Sequence, residues 1–217
     1  MVALFIEGFD KYGPPNAVAA NVNAALTANE WTSSSILAST IVAGLSATGY
    51  ALTCATGGTL SKTLATNYSR LIGGVRFAAT LAGNANMPSF LDGSSAQCTI
   101  TLSTSGVIAL RTGGSAGTIL SSGGSVSANT THYLEWDITF GASASYQVWL
   151  DGASLFSGTG NTRGGTSNNY ANVFNFTGAG EAIDDLYLFD TTGATNNAVL
   201  LTSPRIETQF PSSDSSV

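Results

Sequence analysis

The sequence predicts an all-β protein built as a two-sheet antiparallel jelly-roll sandwich. Three observations lead there. Apolar residues recur with a period of two in segment after segment, Gly, Ser and Asn clusters punctuate nearly every gap, and 217 residues suit one sandwich.

The clearest strand holds Leu134, Trp136, Ile138 and Phe140 in alternation with Tyr133, Glu135, Asp137 and Thr139, the pattern of a strand with one buried face. After a turn at Gly141 to Ser145, Tyr146, Val148 and Leu150 alternate with Gln147, Trp149 and Asp151, completing a hairpin. Asp151-Gly152 is a strong turn signal that leads into a strand over Ser154 to Gly158. Further strands are predicted at Leu4–Phe9, Tyr50–Thr53, Ser61–Ala65, Leu71–Leu81, Gln97–Thr101, Gly106–Arg111, Thr118–Leu120, Asn172–Phe176 and Ile183–Phe189. One segment differs: Asn16 to Trp31, after Pro14-Pro15, places Val18, Val22 and Leu26 at helical spacing and predicts a short helix or an edge loop. Alternation ends near the carboxy terminus. Residues 1–203 read as one jelly-roll domain and 204–217 as a polar linker or docking arm.

Composition narrows the partners. Only 9% of residues are charged, against a usual share of about a quarter. A surface of small neutral polar groups can be covered by neighbouring subunits without desolvating many charges, which suits an assembly and also a lectin-like domain. The net charge is −6 and the seven cations are scattered, so neither nucleic acid nor an anionic membrane is an expected partner. The start, MVALFIEGFDKYGPP, lacks a basic region before its apolar run and predicts synthesis in a cytoplasm without a secretory leader. The apolar region Ser35 to Ala55 is too interrupted for a membrane span. Cys54 and Cys98 match no metal spacing and read as buried free thiols, with a disulfide as the alternative.

The order of three segments, THYLEWDITF, YQVWLDGASLFSGTGNT and AIDDLYLFD, resembles laminin-G-like and concanavalin A-like jelly rolls. That resemblance implies a closing strand of the Ile-Asp-Asp-Leu-Tyr kind beside the amino-terminal strand. FIEGFDKY at 5–12, IDDLYLFDTTGATNN at 183–197 and PRIETQFPSSD at 204–214 are similar to virion structural proteins of tailed bacteriophages. The likeness implies a non-enzymatic part of a virion, as capsid decoration or as a tail or fibre component. Its partners would be other virion proteins, in a homo-oligomer such as a trimer. The alternative is a carbohydrate-binding adhesin for host-surface glycans, and behind it a divergent glycosidase.

The glycosidase reading has a specific weakness. The glucanase branch of this fold carries a nucleophile Glu, a helper Asp and an acid/base Glu along one strand face. Glu135 and Asp137 are present, the second Glu is missing, and Glu181 or Asp185 would have to replace it from another strand. The competing expectation for Glu135 and Asp137 is a solvated strand face. His132 is the only histidine, stands at a strand start, and has no nucleophile elbow to serve. No catalytic residue and no cofactor are therefore expected, apart from a structural Ca²⁺. Its candidate ligands are Glu7, Asp10, Asp184 and Asp185, if the first and last strands pair. The alternative is that Asp184 and Asp185 straddle the strand, one solvated and one bonded to a loop backbone. For sugar, Trp149 and Tyr170 are the candidate platforms, while Trp136 aligns with the core.

Overall fold

The computed structural model describes residues 3–12, 18–35, 40–46, 49–191, 198–201 and 204–206. Two antiparallel sheets pack face to face. Sheet A runs β13 (Ala153–Gly160), β12 (Ala144–Leu150), β11 (Thr131–Thr139), β6 (Arg70–Ala78), β15 (Glu181–Phe189), β4 (Tyr50–Cys54) and β3 (Ile41–Ala43). Sheet B runs β10 (Ile119–Gly123), β9 (Ile108–Thr112), β8 (Ser95–Leu102), β7 (Ala85–Asp92), β14 (Ala171–Thr177), β5 (Thr59–Tyr68) and β2 (Ser33–Ser34). Between the sheets, Trp136 of sheet A meets Phe90 and Phe174 of sheet B, each at 6.0 Å between ring centroids. Such aromatic pairs add about 0.5–1.5 kcal/mol each beyond their burial.

The expected closure forms. β1 (Ala3–Glu7) pairs with β15 from Ala3 opposite Phe189 to Glu7 opposite Leu186, while β4 takes the same edge of β15 along Glu181 to Ile183. The Asp184-Asp185 pair is the device that lets one strand serve both. Asp185 adopts φ 46° and the pairing with β6 shifts register there. A bulge of this kind inserts one residue, so Ile183, Leu186 and Leu188 all face the core. Asp is among the few side chains that tolerate a left-handed backbone.

A helix, α1 (Ala19–Asn29), lies inside the segment predicted to be one, with Val22 and Leu26 fully buried and Val18 exposed just before it. The structure adds β2, β3 and β7, which the sequence pattern did not signal. In β7, Pro88 argues against a strand, but it falls where the pairing to β8 skips register between Asn86 and Ser89, and a bulge spares it a ladder bond. Cys54 and Cys98 are both buried and free, one in each sheet. Among the described residues, no helix is long and apolar enough to cross a membrane.

Candidate functional site

The two outer faces of the sandwich differ in chemistry, and each holds residues that the sequence had singled out. On sheet A, β11 turns Tyr133, Glu135 and Asp137 outward. Glu135 is fully buried nevertheless. Its Oε1 accepts the Tyr187 hydroxyl at 2.6 Å and the backbone N–H groups of Leu200 and Leu201 at 3.0 and 3.1 Å. Val199 packs on Ile72, Tyr133 and Tyr187, with Trp149, Phe189 and Ile206 at the margin. The expectation of a solvated face is thus corrected at Glu135. Residues 198–201 cross the sheet there and supply donors in place of water.

Gly74 makes this crossing of side chains possible. It lies between Glu135 and Tyr187 in the cross-strand register, and a Cβ there would come within 2.7 Å of the Tyr187 ring and 2.9 Å of Glu135. Burial pushes the phenols of Tyr187 and Tyr133 up from their ordinary value. Asp137 is half-buried and takes a two-pronged pair from Arg70, at 2.7 and 2.5 Å. The Glu135 and Asp137 carboxylates are therefore held by protein donors.

The proposed substitutes for the missing Glu sit elsewhere. Glu181 points with Ile183 to the inner side, accepts the Ala179 N–H at 2.7 Å, and is pushed up to about 7 by burial. Asp185 binds Arg76 Nε at 2.6 Å and the Ile206 N–H at 2.7 Å. His132 is half-buried and pairs through Nδ1 with Asp151 at 2.7 Å.

The four candidate Ca²⁺ ligands all lie around the β1–β15 junction, but each is occupied. Glu7 accepts the Phe9 N–H at 3.0 Å and the Tyr12 hydroxyl, with Lys11 at 3.6 Å. Asp10 accepts the Tyr50 N–H at 2.7 Å. Asp184 accepts the N–H groups of Leu45 and Asp185, and burial together with the neighbouring Asp185 charge pushes it up to about 7. Neither Asp184 nor Asp185 is solvated, at 2% and 0% exposure, so the straddling expectation is corrected as well: both sides of the bulge are covered. Among the described residues, no three His, Cys, Asp or Glu side chains come together as a metal-holding group.

Trp149 and Tyr170 are not brought together. Trp149 lies on sheet A, half-buried against the Val199 cluster. Tyr170 is half-buried in the loop before β14, where Asn168 donates to both its hydroxyl and Asp92, and Gln97 donates to its carbonyl.

The outer face of sheet B carries the feature that the sequence reading missed. Its core side is Phe90, Cys98, Ile100, Leu102, Leu110, Phe174 and Phe176. The alternate positions form two cross-strand rows of polar side chains, neutral except for one arginine. Register sets Thr177, Asn86 and Thr101 abreast, and beside them Asn175, Ser89, Thr99 and Arg111. Thr99 and Ser89 hydroxyls are linked at 3.2 Å, and Thr99 also donates to the Gly113 carbonyl. At one end a cavity of about 340 Å³ opens over Thr177, Asn86, Thr101 and Arg111, with Asn84, Ser103 and Ser115 on its walls. That volume falls within the ~300–1,000 Å³ typical of small-ligand sites. The loop holding Tyr170 sits at the other end, where Gln97 bonds to Thr166, Asn168 and Tyr170. Between the cavity and that loop Gln97 and Thr99 are fully buried and Ser89 and Thr101 nearly so, so the accessible part of this face is the cavity end.

The fold defines a β-sandwich of the jelly-roll class, and comparison with known proteins agrees at that level. No family model and no curated protein matches the chain. Among solved structures, it is similar to an endo-β-1,4-glucuronan lyase from the fungus Trichoderma reesei, with TM-score 0.53 and 10% identity over 88% of this chain and 96% of that one. It is also similar to domain 4 of AbnA, an extracellular GH43 arabinanase from Geobacillus stearothermophilus solved with arabinotriose, with TM-score 0.51 and 16% identity over 71% of this chain and 76% of that one. A Trypanosoma rangeli sialidase mutant gives TM-score 0.50 and 14% identity over 70% of this chain and 27% of that one. At these identities the likeness shows the fold.

Proposed function

We propose that this protein binds carbohydrate on the outer face of sheet B. The observation that carries the reading is the cavity over Thr177, Asn86, Thr101 and Arg111, whose side chains are mostly hydroxyls and amides set abreast by the strand register. A sugar presents many hydroxyls and little charge, so its site needs several fixed donors and acceptors on a face that displaces water cheaply. The described cavity lining has no carboxylate, whereas glycoside hydrolysis uses a pair of them. Binding without hydrolysis fits this lining. The names of the solved structures with the same fold, a glucuronan lyase and an arabinanase domain holding arabinotriose, point the same way.

A glycan array followed by calorimetric titration tests the reading. Asn86→Ala combined with Thr177→Val removes two hydrogen-bonding groups, each worth about 0.5–1.5 kcal/mol, and should weaken binding about tenfold or more. Absence of binding to any glycan at millimolar protein, or unchanged affinity in a variant that melts like the parent, would overturn it.

The second reading places this binding on a tailed-phage particle, within a homo-oligomer and among other virion proteins. The observation favouring it is that the segments carrying the resemblance pack as one unit. β1 pairs with β15, Asp185 binds the Ile206 N–H, and Arg76 donates to the Pro204 carbonyl at 3.3 Å. The parts of that resemblance at 192–197 and 207–214 lie outside the described residues. Mass spectrometry with immunogold labelling of purified particles decides it: stoichiometric recovery supports the reading and absence overturns it.

A further inference from the structure

Among the described residues Arg111 is the one cation lining the sheet B cavity, and its setting is unusual within this chain. Lys11, Lys62, Arg70 and Arg76 each hold a carboxylate. Among the described residues, Arg111 and Arg163 are held by neutral oxygens. Arg163 staples its own loop through the Ser167 carbonyl and the Asn169 side chain. Arg111 instead faces the cavity. Its Nε donates to Thr101 Oγ1 at 3.2 Å and its Nη1 to the Gly117 carbonyl at 3.0 Å. A guanidinium has five N–H donors and stays charged at any ordinary pH, so three remain for a ligand. The two neutral bonds fix the plane of the group without neutralising it.

We propose that the cavity selects a carboxylate-bearing sugar, with Arg111 receiving the carboxylate and Asn86 and Thr177 receiving neighbouring hydroxyls. In a chain with 13 acidic and 7 basic residues, a half-buried arginine with no acidic partner among the described residues marks a place for an external anion. A planar fork matches a carboxylate in two-pronged fashion. One cation among neutral groups suits a monoanion, whereas a phosphate or sulfate cluster would call for more positive charge. Apart from Leu102 and Ala116 the rest of the lining is hydroxyl and amide, which suits the remainder of a sugar ring better than a simple fatty or aromatic acid.

This inference rests on the carbohydrate reading, and the test separates the two. The intact chain is titrated calorimetrically with oligoglucuronate and oligogalacturonate, with sialyllactose, and with the methyl esters of the same uronates. The expected result is affinity at least tenfold higher for an acid form than for its ester, a difference that shrinks as salt rises. The uronate and sialyl arms tell which sugar acid fits. Arg111→Gln should abolish the acid preference by lowering affinity for the acid form far more than for its ester, and Arg111→Lys should restore only part of it, because the fork is lost. Equal binding of acid and ester by the parent protein overturns the inference and leaves carbohydrate binding standing. This comparison needs no variant, so it holds even where Arg111→Gln disturbs folding. Failure to bind any glycan overturns both.

Discussion

Glu181 offers the sharpest check on the electrostatics of this fold. It stands 1% exposed where β14 turns into β15. Oε2 accepts the Ala179 N–H, while Oε1 is buried without a partner. Burial raises the carboxyl from 4.5 to about 7. Between these values the folded chain keeps a proton that the unfolded chain has released. Stability then falls as pH rises, because the native state binds more protons. The contribution is fully present below pH 4.5 and lost above about pH 7. The rise from 4.5 to about 7 corresponds to a ceiling of about 3 kcal/mol, and residual solvation reduces it to roughly 1–3 kcal/mol. Glu181→Gln keeps the acceptor for Ala179 and has no proton to lose. Thermal melts of parent and variant at pH 5 and pH 8 should therefore diverge. At ~2–4 °C per kcal/mol for a chain of this size, the parent should lose roughly 3–10 °C more than the variant across that interval. Asp184 carries a similar shift in both proteins, so it cancels. Parallel pH curves would refute the argument, since a constant offset reports only packing.

Other perturbations address the sheet A face and the junction. Gly74→Ala drives a methyl into Tyr187, Tyr133 and Glu135 and should cost about 1–3 kcal/mol or more in a denaturant titration. Glu135→Ala removes the acceptor of the Tyr187 hydroxyl and of the Leu200 and Leu201 amides. It should lower stability by about 1–3 kcal/mol per stranded donor and speed hydrogen exchange at those two amides before any other change. Phe174→Ala empties the centre of the ring cluster and should cost about 3–5 kcal/mol by the same titration. Because Glu7, Asp10, Asp184 and Asp185 already accept protein donors, a chelator should move the melting temperature by no more than about 1 °C.

The pattern of strands was legible because burial in a sandwich acts on every second residue, and Trp136, Ile138, Phe174 and Phe176 carry that rule without exception. The failures have one cause. Periodicity separates two faces of a strand and cannot say what lies over the outer one. Glu135 looked solvated because nothing local reveals that residues 65 positions later supply its donors. Asp184 and Asp185 could be placed at the strand crossing from the sequence, but the bulge that Asp185 turns and the Leu45 and Ile206 amides that the two carboxylates accept depend on register and on residues far along the chain, which periodicity does not carry.

The same reasoning explains why the candidate site escaped notice. Gln97, Thr99 and Thr101 alternate with Cys98, Ile100 and Leu102, and Asn175 and Thr177 alternate with Phe174 and Phe176. Each strand alone is an ordinary amphipathic strand. The site exists only in the register between strands, where Asn86 falls between Thr177 and Thr101, and Thr99 beside Arg111. Neutral composition had suggested a surface meant to be covered. The structure divides that role: sheet A is covered by the chain's own residues 198–201 across Glu135, and Gln97 and Thr99 of sheet B are buried as well, which leaves the cavity lined by Asn86, Thr177 and Arg111 as the place where cheap desolvation can serve an external ligand.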